Sequence, residues 1–300
     1  MALFNGLSAF PITPTDQDGR VDEKALARLV QRLVEAEVDS IGLLGSTGTY
    51  AYLTRDARRR AIEAGLEAAV GGCRVMVGIG ALRTDEAVRL GEDARAAGAH
   101  AVLLAPVTYT PLTDEEVAEH FSTVASEVRL PLCIYNNPTT THFAFSDELV
   151  ARLSQTPNIV ALKTPAPTGD QMGRDIASLR ARAAPGFSLG YSGDRRATEA
   201  LIAGGDAWYS VVAGVFPGPC RDIVQAVARG DIETARRLDR KLQPLWDLFQ
   251  EFTSLRVVYA AANLFGLCAA QPPRPISPLS GPARARVAAV LESLAPLDSL

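Results

Sequence analysis

Cysteine and histidine are scarce in this chain. Cys73, Cys133, Cys220 and Cys268 are the four cysteines of 300 residues, and no two lie close enough to form a zinc or redox motif. His100, His120 and His142 are equally scattered, so no metal-ligand spacing is present and no metal is expected. Separated thiols fit a reducing, cytoplasmic compartment, with Cys73 and Cys133 as packing residues on predicted strands. No apolar run is long enough to cross a bilayer, and residues 1–11 lack the basic start and apolar stretch of a secretory signal. Charge of one sign is missing too. The net charge is −4 with acids and bases mixed, so neither nucleic acid nor a membrane is an expected partner.

What is present is a hydrophobic content of 47% against 21% charged, a globular composition. The length allows one domain of about 250 residues plus an appendage. Short apolar strands are predicted at 7–12, 40–44, 74–78, 101–104, 132–135, 159–163, 187–190 and 207–212. Amphipathic helices fall between them. Asp22 opens the first, with Ala25, Leu26, Leu29, Val30 and Leu33 at helical spacing. Thr54, Thr84 and Ser146 are expected caps, and Thr113 with Glu116 fits a capping box. Further helices are predicted at 168–182 and 195–203.

This alternation predicts an α/β fold, a (β/α)8 TIM barrel occupying 1–225. A doubly wound sheet is disfavoured because no strand opens into a GxGxxG turn followed by an acid. Beyond Pro219 only helices are predicted, at 219–229, 231–249, 252–266 and 281–294, with a proline-rich loop at 271–278. Residues 226–300 are therefore expected to form a C-terminal helical bundle.

The stretch Ile159-Val160-Ala161-Leu162-Lys163-Thr164 carries the sharpest chemical signal. A lysine closing a buried strand has its stem in the core, and desolvation disfavours an ammonium, as a Schiff-base nucleophile requires. The plainer alternative is a lysine that reaches from a strand end into water. In a barrel the active face lies at the C-terminal ends of the strands. That face would gather Ser46 and Thr47, Thr108 and Tyr109, Tyr135, Lys163, Gly193 and Asp194, and Tyr209 and Ser210. Lys163 and Tyr135, on adjacent strands, make a nucleophile and proton-transfer pair. The small residues and amides of Gly45 to Thr49 suit a carboxylate. Asp194 could equally cap the next helix. Arg55, Arg58, Arg59 and Arg60 read as a solvated helix face.

Gly45-Ser46-Thr47-Gly48, Tyr135-Asn136-Asn137-Pro138, Lys163 after an apolar strand and Ser192-Gly193-Asp194 follow in order. Together they resemble the dihydrodipicolinate synthase / N-acetylneuraminate lyase family of class I (Schiff-base) aldolases, over essentially the whole chain. The resemblance implies that Lys163 forms an imine with pyruvate or another 2-oxo acid, with no cofactor beyond that imine. Tyr135 would shuttle protons, and Ser46, Thr47 and Gly48 would hold the carboxylate. Gly193 would line the pocket, and Tyr209 would place its backbone beside the imine. It also implies a homotetramer, a dimer of dimers, with Tyr50, Tyr52 and Tyr109 at the tight contact.

The chain departs from the family's synthases at several points. Their paired tyrosines after strand four, the second of which relays protons across a dimer contact, are here Val107 and Thr108, with Tyr109 one place later. The arginine that binds the aldehyde's carboxylate is Thr140, and the glutamate after Thr-Gly is Thr49. Arg55 and Arg58 stand where the lysine-feedback site has its histidines. The expected activity is a 2-oxo-acid lyase or aldolase whose aldehyde partner is not aspartate semialdehyde. A sugar-acid dehydratase using the same imine is one alternative, and a non-catalytic 2-oxo-acid-binding paralogue is another.

Overall fold

The computed structural model describes residues 3–169 and 171–294. Eight parallel strands close on themselves in chain order: β1 Gly6–Ala9, β2 Ser40–Leu43, β3 Arg74–Gly78, β4 Ala101–Leu104, β5 Leu132–Tyr135, β6 Ile159–Pro165, β7 Ser188–Ser192 and β8 Ala207–Ser210. β8 returns to pair with β1, so the sheet has no open edge. Around it run α1 Glu23–Glu35, α2 Arg55–Ala69, α3 Thr84–Ala96, α4 Asp114–Val128, α5 Pro138–Thr141, α6 Asp147–Ser154, α7 Met172–Arg182 and α8 Asp194–Ile202. α9 Pro217–Ala228, α10 Ile232–Lys241, α11 Gln243–Phe252, α12 Ser254–Leu264 and α13 Gly281–Leu294 follow without a strand among the described residues. This is a TIM barrel with a C-terminal helical extension.

Local chemistry explains most boundaries. The Asp22 carboxylate accepts from the Ala25 N–H at 2.9 Å, and the five predicted apolar positions of α1 are all buried. The capping box of Thr113 and Glu116 is present. Thr54 and Ser146 cap α2 and α6. Thr84 does not cap α3: Arg83 is its N-cap, and the Thr84 hydroxyl bonds His120 Nδ1 instead, at 2.9 Å. β1 stops before Pro11, which has no N–H to offer. The helix predicted from 168 starts at Met172, and residue 170 lies outside the described residues. The helix predicted across 231–249 breaks at Leu242, just before Pro244 enters the first turn of α11. The barrel–bundle boundary expected at 225/226 falls inside α9, and residues 1–2 and 295–300 of those two units lie outside the described residues.

Strand periodicity sorts the side chains into two cores. On β5, Leu132 and Ile134 pack outward against the helices, while Cys133 and Tyr135 turn into the barrel. On β6, Leu162 goes outward and Ala161 inward. Period two then sends Lys163 inward as well, and it pairs in register with Tyr135.

Candidate active site

β6 runs two residues past Lys163, to Pro165, so the lysine sits just inside the rim and is only 3% exposed. Asn136 ties the strand ends together: its N–H donates to the Lys163 carbonyl at 2.8 Å and its Nδ2 to Thr164 Oγ1 at 3.0 Å. The amine lies between two aromatic faces. Nζ is 3.9 Å from the Phe10 ring centroid and 4.2 Å from that of Tyr135. Phe10 has room because β2 and its loop carry glycines there. A Cβ on Gly42 would come within 2.3 Å of that ring, and one on Gly45 within 2.6 Å.

The Tyr135 hydroxyl is held by two partners. Asn137 Nδ2 donates to it at 2.9 Å, and Ser46 Oγ lies 2.9 Å away. Thr139 Oγ1 donates to Asn137 Oδ1 at 2.7 Å, which fixes the amide with its NH2 toward the phenol. Since Asn137 supplies one donor, the phenolic O–H is free to point at Ser46 or into the cavity. Burial alone would push the Tyr135 phenol up. The Lys163 charge and hydrogen bonds with Ser46, Asn137 and Lys163 outweigh it, and the phenol ends below its usual value.

Lys163, Tyr135, Ser46 and Asn137 border one cavity of about 360 Å³, together with Gly193, Arg195, Arg196, Trp246, Phe249, Gln250 and Ser254. Three stretches therefore meet here: the ends of β2, β5 and β6, the start of α8, and the α11–α12 corner of the extension. Gly193 is the α8 N-cap at φ +88, a conformation that suits glycine. Asp194 neither caps α8 nor offers its carboxylate to the cavity. It accepts from Trp208 Nε1 at 2.8 Å and from the N–H groups of Val211 and Val212 at 3.2 and 3.0 Å. Those bonds end β8 at Ser210, two residues earlier than predicted. Burial raises the Asp194 carboxyl, with these donors pulling against it.

Other expected site residues lie elsewhere. Thr47 and Gly48 are buried behind Ser46 and do not border the cavity. Thr140 is exposed, its hydroxyl turned back to the Asn137 carbonyl at 3.2 Å. The Tyr209 side chain is wholly buried within the barrel, its hydroxyl 3.7 Å from Cys133 Sγ and its ring edge-on to Phe10 at 6.0 Å. Burial pushes the Cys133 thiol up to about 12, which suits packing. The Thr108 hydroxyl donates to the Thr110 carbonyl, and Tyr109 is 94% exposed. Arg58 is not a solvated residue: it donates to the Gly80 carbonyl at 3.0 Å and lies over the Tyr50 ring at 5.1 Å. Tyr50 is buried within its own chain rather than offered to a neighbour.

Asn137, Phe10, Arg195 and Arg196 were not expected in the site. An Asx residue before a proline at the end of a strand is a usable signal for Asn137. Phe10 faces inward one residue beyond β1, a place that a strand drawn to residue 12 obscures.

A buried amine beside a hydrogen-bonded phenol at the C-terminal rim of a (β/α)8 barrel is the arrangement of class I, Schiff-base lyases. The chain belongs to the dihydrodipicolinate synthetase family, whose model matches residues 3–294. It is 33% identical over 295 residues to the 4-hydroxy-tetrahydrodipicolinate synthase of Acidiphilium cryptum, covering 97% of this chain and 99% of that one. To the synthase of the same name from Methylococcus capsulatus it is 37% identical over 250 residues, covering 83% and 84% of the two. Among solved structures, a dihydrodipicolinate synthase from Agrobacterium tumefaciens superposes with a TM-score of 0.95 at 57% identity, covering 97% of this chain and 98% of that one. That from Aquifex aeolicus gives 0.91 at 29%, covering 99% and 100%. The chain is thus an enzyme of the Schiff-base aldolase and lyase class.

Proposed function

We propose that Lys163 bonds covalently to pyruvate or another 2-oxo acid and that the enzyme makes or breaks a carbon–carbon bond to an aldehyde other than aspartate semialdehyde. Nζ attacks the ketone carbon, and the proton released reaches the carbinolamine oxygen by way of the Tyr135 hydroxyl. Water leaves, and the protonated imine draws the electrons of a neighbouring C–H or C–C bond into an enamine. Ser46 and Asn137 keep Tyr135 in place for these transfers. Ser46, the residue of the β2 loop that borders the cavity, receives the C1 carboxylate. The imine itself is the electron sink, so the reading needs no further cofactor.

The observation that carries this is the joint placement of Lys163 Nζ and the Tyr135 hydroxyl, buried, adjacent and open to one cavity. The choice of aldehyde rests on Thr140 and Thr108. Each is neutral and turned to its own backbone, where the family's synthases use an arginine and a tyrosine. The names carried by the relatives favour the other reading, an authentic 4-hydroxy-tetrahydrodipicolinate synthase. An assay panel coupled to pyruvate turnover separates the two. Fast condensation of pyruvate with aspartate semialdehyde would refute the reading preferred here.

Assembly as a dimer of dimers belongs to the same proposal. Tyr52, Leu82 and Tyr109, on the loops after β2, β3 and β4, are 49%, 64% and 94% exposed, and a second copy of the chain would cover them. No described helix is long and apolar enough to cross a membrane. A cytoplasmic site of action remains part of the proposal.

A further inference from the structure

The cavity around Lys163 is bordered by Lys163, Arg195 and Arg196, and among the described residues no unpaired acid borders it. Arg195 and Arg196 stand on the first turn of α8 and border it, and neither forms an ion pair among the described residues. Glu199, further along the same helix, is already taken by Arg236 through two bonds of 2.7 and 2.8 Å. Asp194, the acid that borders the cavity among the described residues, has its carboxylate occupied by Trp208, Val211 and Val212. A chain of net charge −4 thus keeps two guanidinium groups, without ion pairs among the described residues, on the cavity of its candidate nucleophile. Guanidinium groups bind carboxylate and phosphate through paired hydrogen bonds.

We infer that Arg195 and Arg196 are specificity-determining residues that receive a second oxyanion, a carboxylate or a phosphate, at the far end of the substrate. The inference rests on the covalent role proposed for Lys163. The C1 carboxylate lies at the β2 loop, the ketone carbon at β6, and the distal anion at the start of α8. β2 and β7 are three steps apart around the closed barrel, so an acyclic substrate lies across the mouth rather than down the axis. Thr140 is neutral and turned to its own backbone, whereas the α8 side of the cavity offers two guanidinium groups. The substrate is therefore a 2-oxo acid with a second acid group at its far end, or an aldehyde other than aspartate semialdehyde that ends in an acid group and condenses to one. Gln250 and Ser254, from the helical extension, border the same cavity and suit hydroxyl groups along the middle of such a chain.

The test compares 2-oxo acids of one length on the full chain: 2-oxohexanoate, 2-oxoadipate, and 2-oxohexanoate bearing a 6-phosphate. Each is titrated, trapped with borohydride and quantified as an adduct on Lys163 by peptide mass spectrometry. The half-saturating concentration of 2-oxoadipate or of the phosphate ester is expected to be about tenfold below that of 2-oxohexanoate. Whichever of the two acid-ended ketones is tighter identifies the group. In R195Q/R196Q the ratio should fall to within about twofold, and in R195K/R196K it should be partly kept, because a lysine retains charge without the paired bonds. The readout is a ratio within each variant, so general damage to the site cancels. Equal half-saturation in the wild type, or an unchanged ratio in R195Q/R196Q, overturns the inference while leaving the imine intact. Absence of any adduct, with pyruvate included, overturns the lysine reading beneath it as well.

Discussion

The two walls of the cavity are built differently. The inner wall, from β2, β5 and β6, is buried and cross-linked: Lys163 lies between two rings, Tyr135 between two hydrogen-bond partners, and Asn137 is itself held by Thr139. The outer wall, from α8 and the α11–α12 corner, presents Arg195, Arg196 and Gln250, all exposed and none in an ion pair among the described residues. Fixed geometry suits bond making, where misplacement of a reacting group is costly. Exposed side chains on a rigid support suit recognition, where the group to be met differs between substrates.

If the inner wall is the chemical one, Lys163→Ala should abolish the borohydride adduct and lower turnover by about 10⁴-fold or more. A variant that still turned over would break the comparison outright. Tyr135→Phe should lower kcat by about 10²–10³-fold while the adduct still forms slowly, as loss of a proton shuttle predicts. Gly42→Ala probes the packing beneath. Its new methyl meets Phe10, so unfolding by urea should show a loss of about 1–3 kcal/mol, and adding Phe10→Leu should restore part of it. Ser46→Ala should cost about tenfold in kcat, since Asn137 still holds the phenol. Phenolate absorbance gives the mildest test. Subtracting Tyr135→Phe from wild type should reveal one phenol that ionises below the usual value of about 10. Burial pushes Tyr50 up to about 12, so it should stay silent there. The sign for stability follows. A depressed phenol favours the folded state as pH rises from its folded value toward about 10, and that contribution is lost as pH falls back through the folded value.

The inner wall was also the more legible in sequence. Lys163 and Tyr135 follow from period two on short apolar strands, and the helix stripe of α1 and the Thr113–Glu116 box follow from local rules. Where a long-range bond competes, local rules give the wrong answer. The Thr84 hydroxyl is claimed by His120, the end of β8 by Asp194, and Arg58 by the Gly80 carbonyl. No local pattern singles out Arg195 and Arg196, because only the closed barrel shows which cavity they border. Tyr209 teaches the reverse lesson: the family resemblance speaks only of its backbone, while its side chain fills the barrel beneath.

The bonds made by Asp194 have a consequence for how such a barrel changes over generations. They clamp the backbone at the start of α8 to the end of β8. The two positions immediately after the clamp can then accept new side chains while the main chain keeps its course. A lineage could exchange one foodstuff for another at residues 195 and 196 with the bond-making apparatus inherited whole.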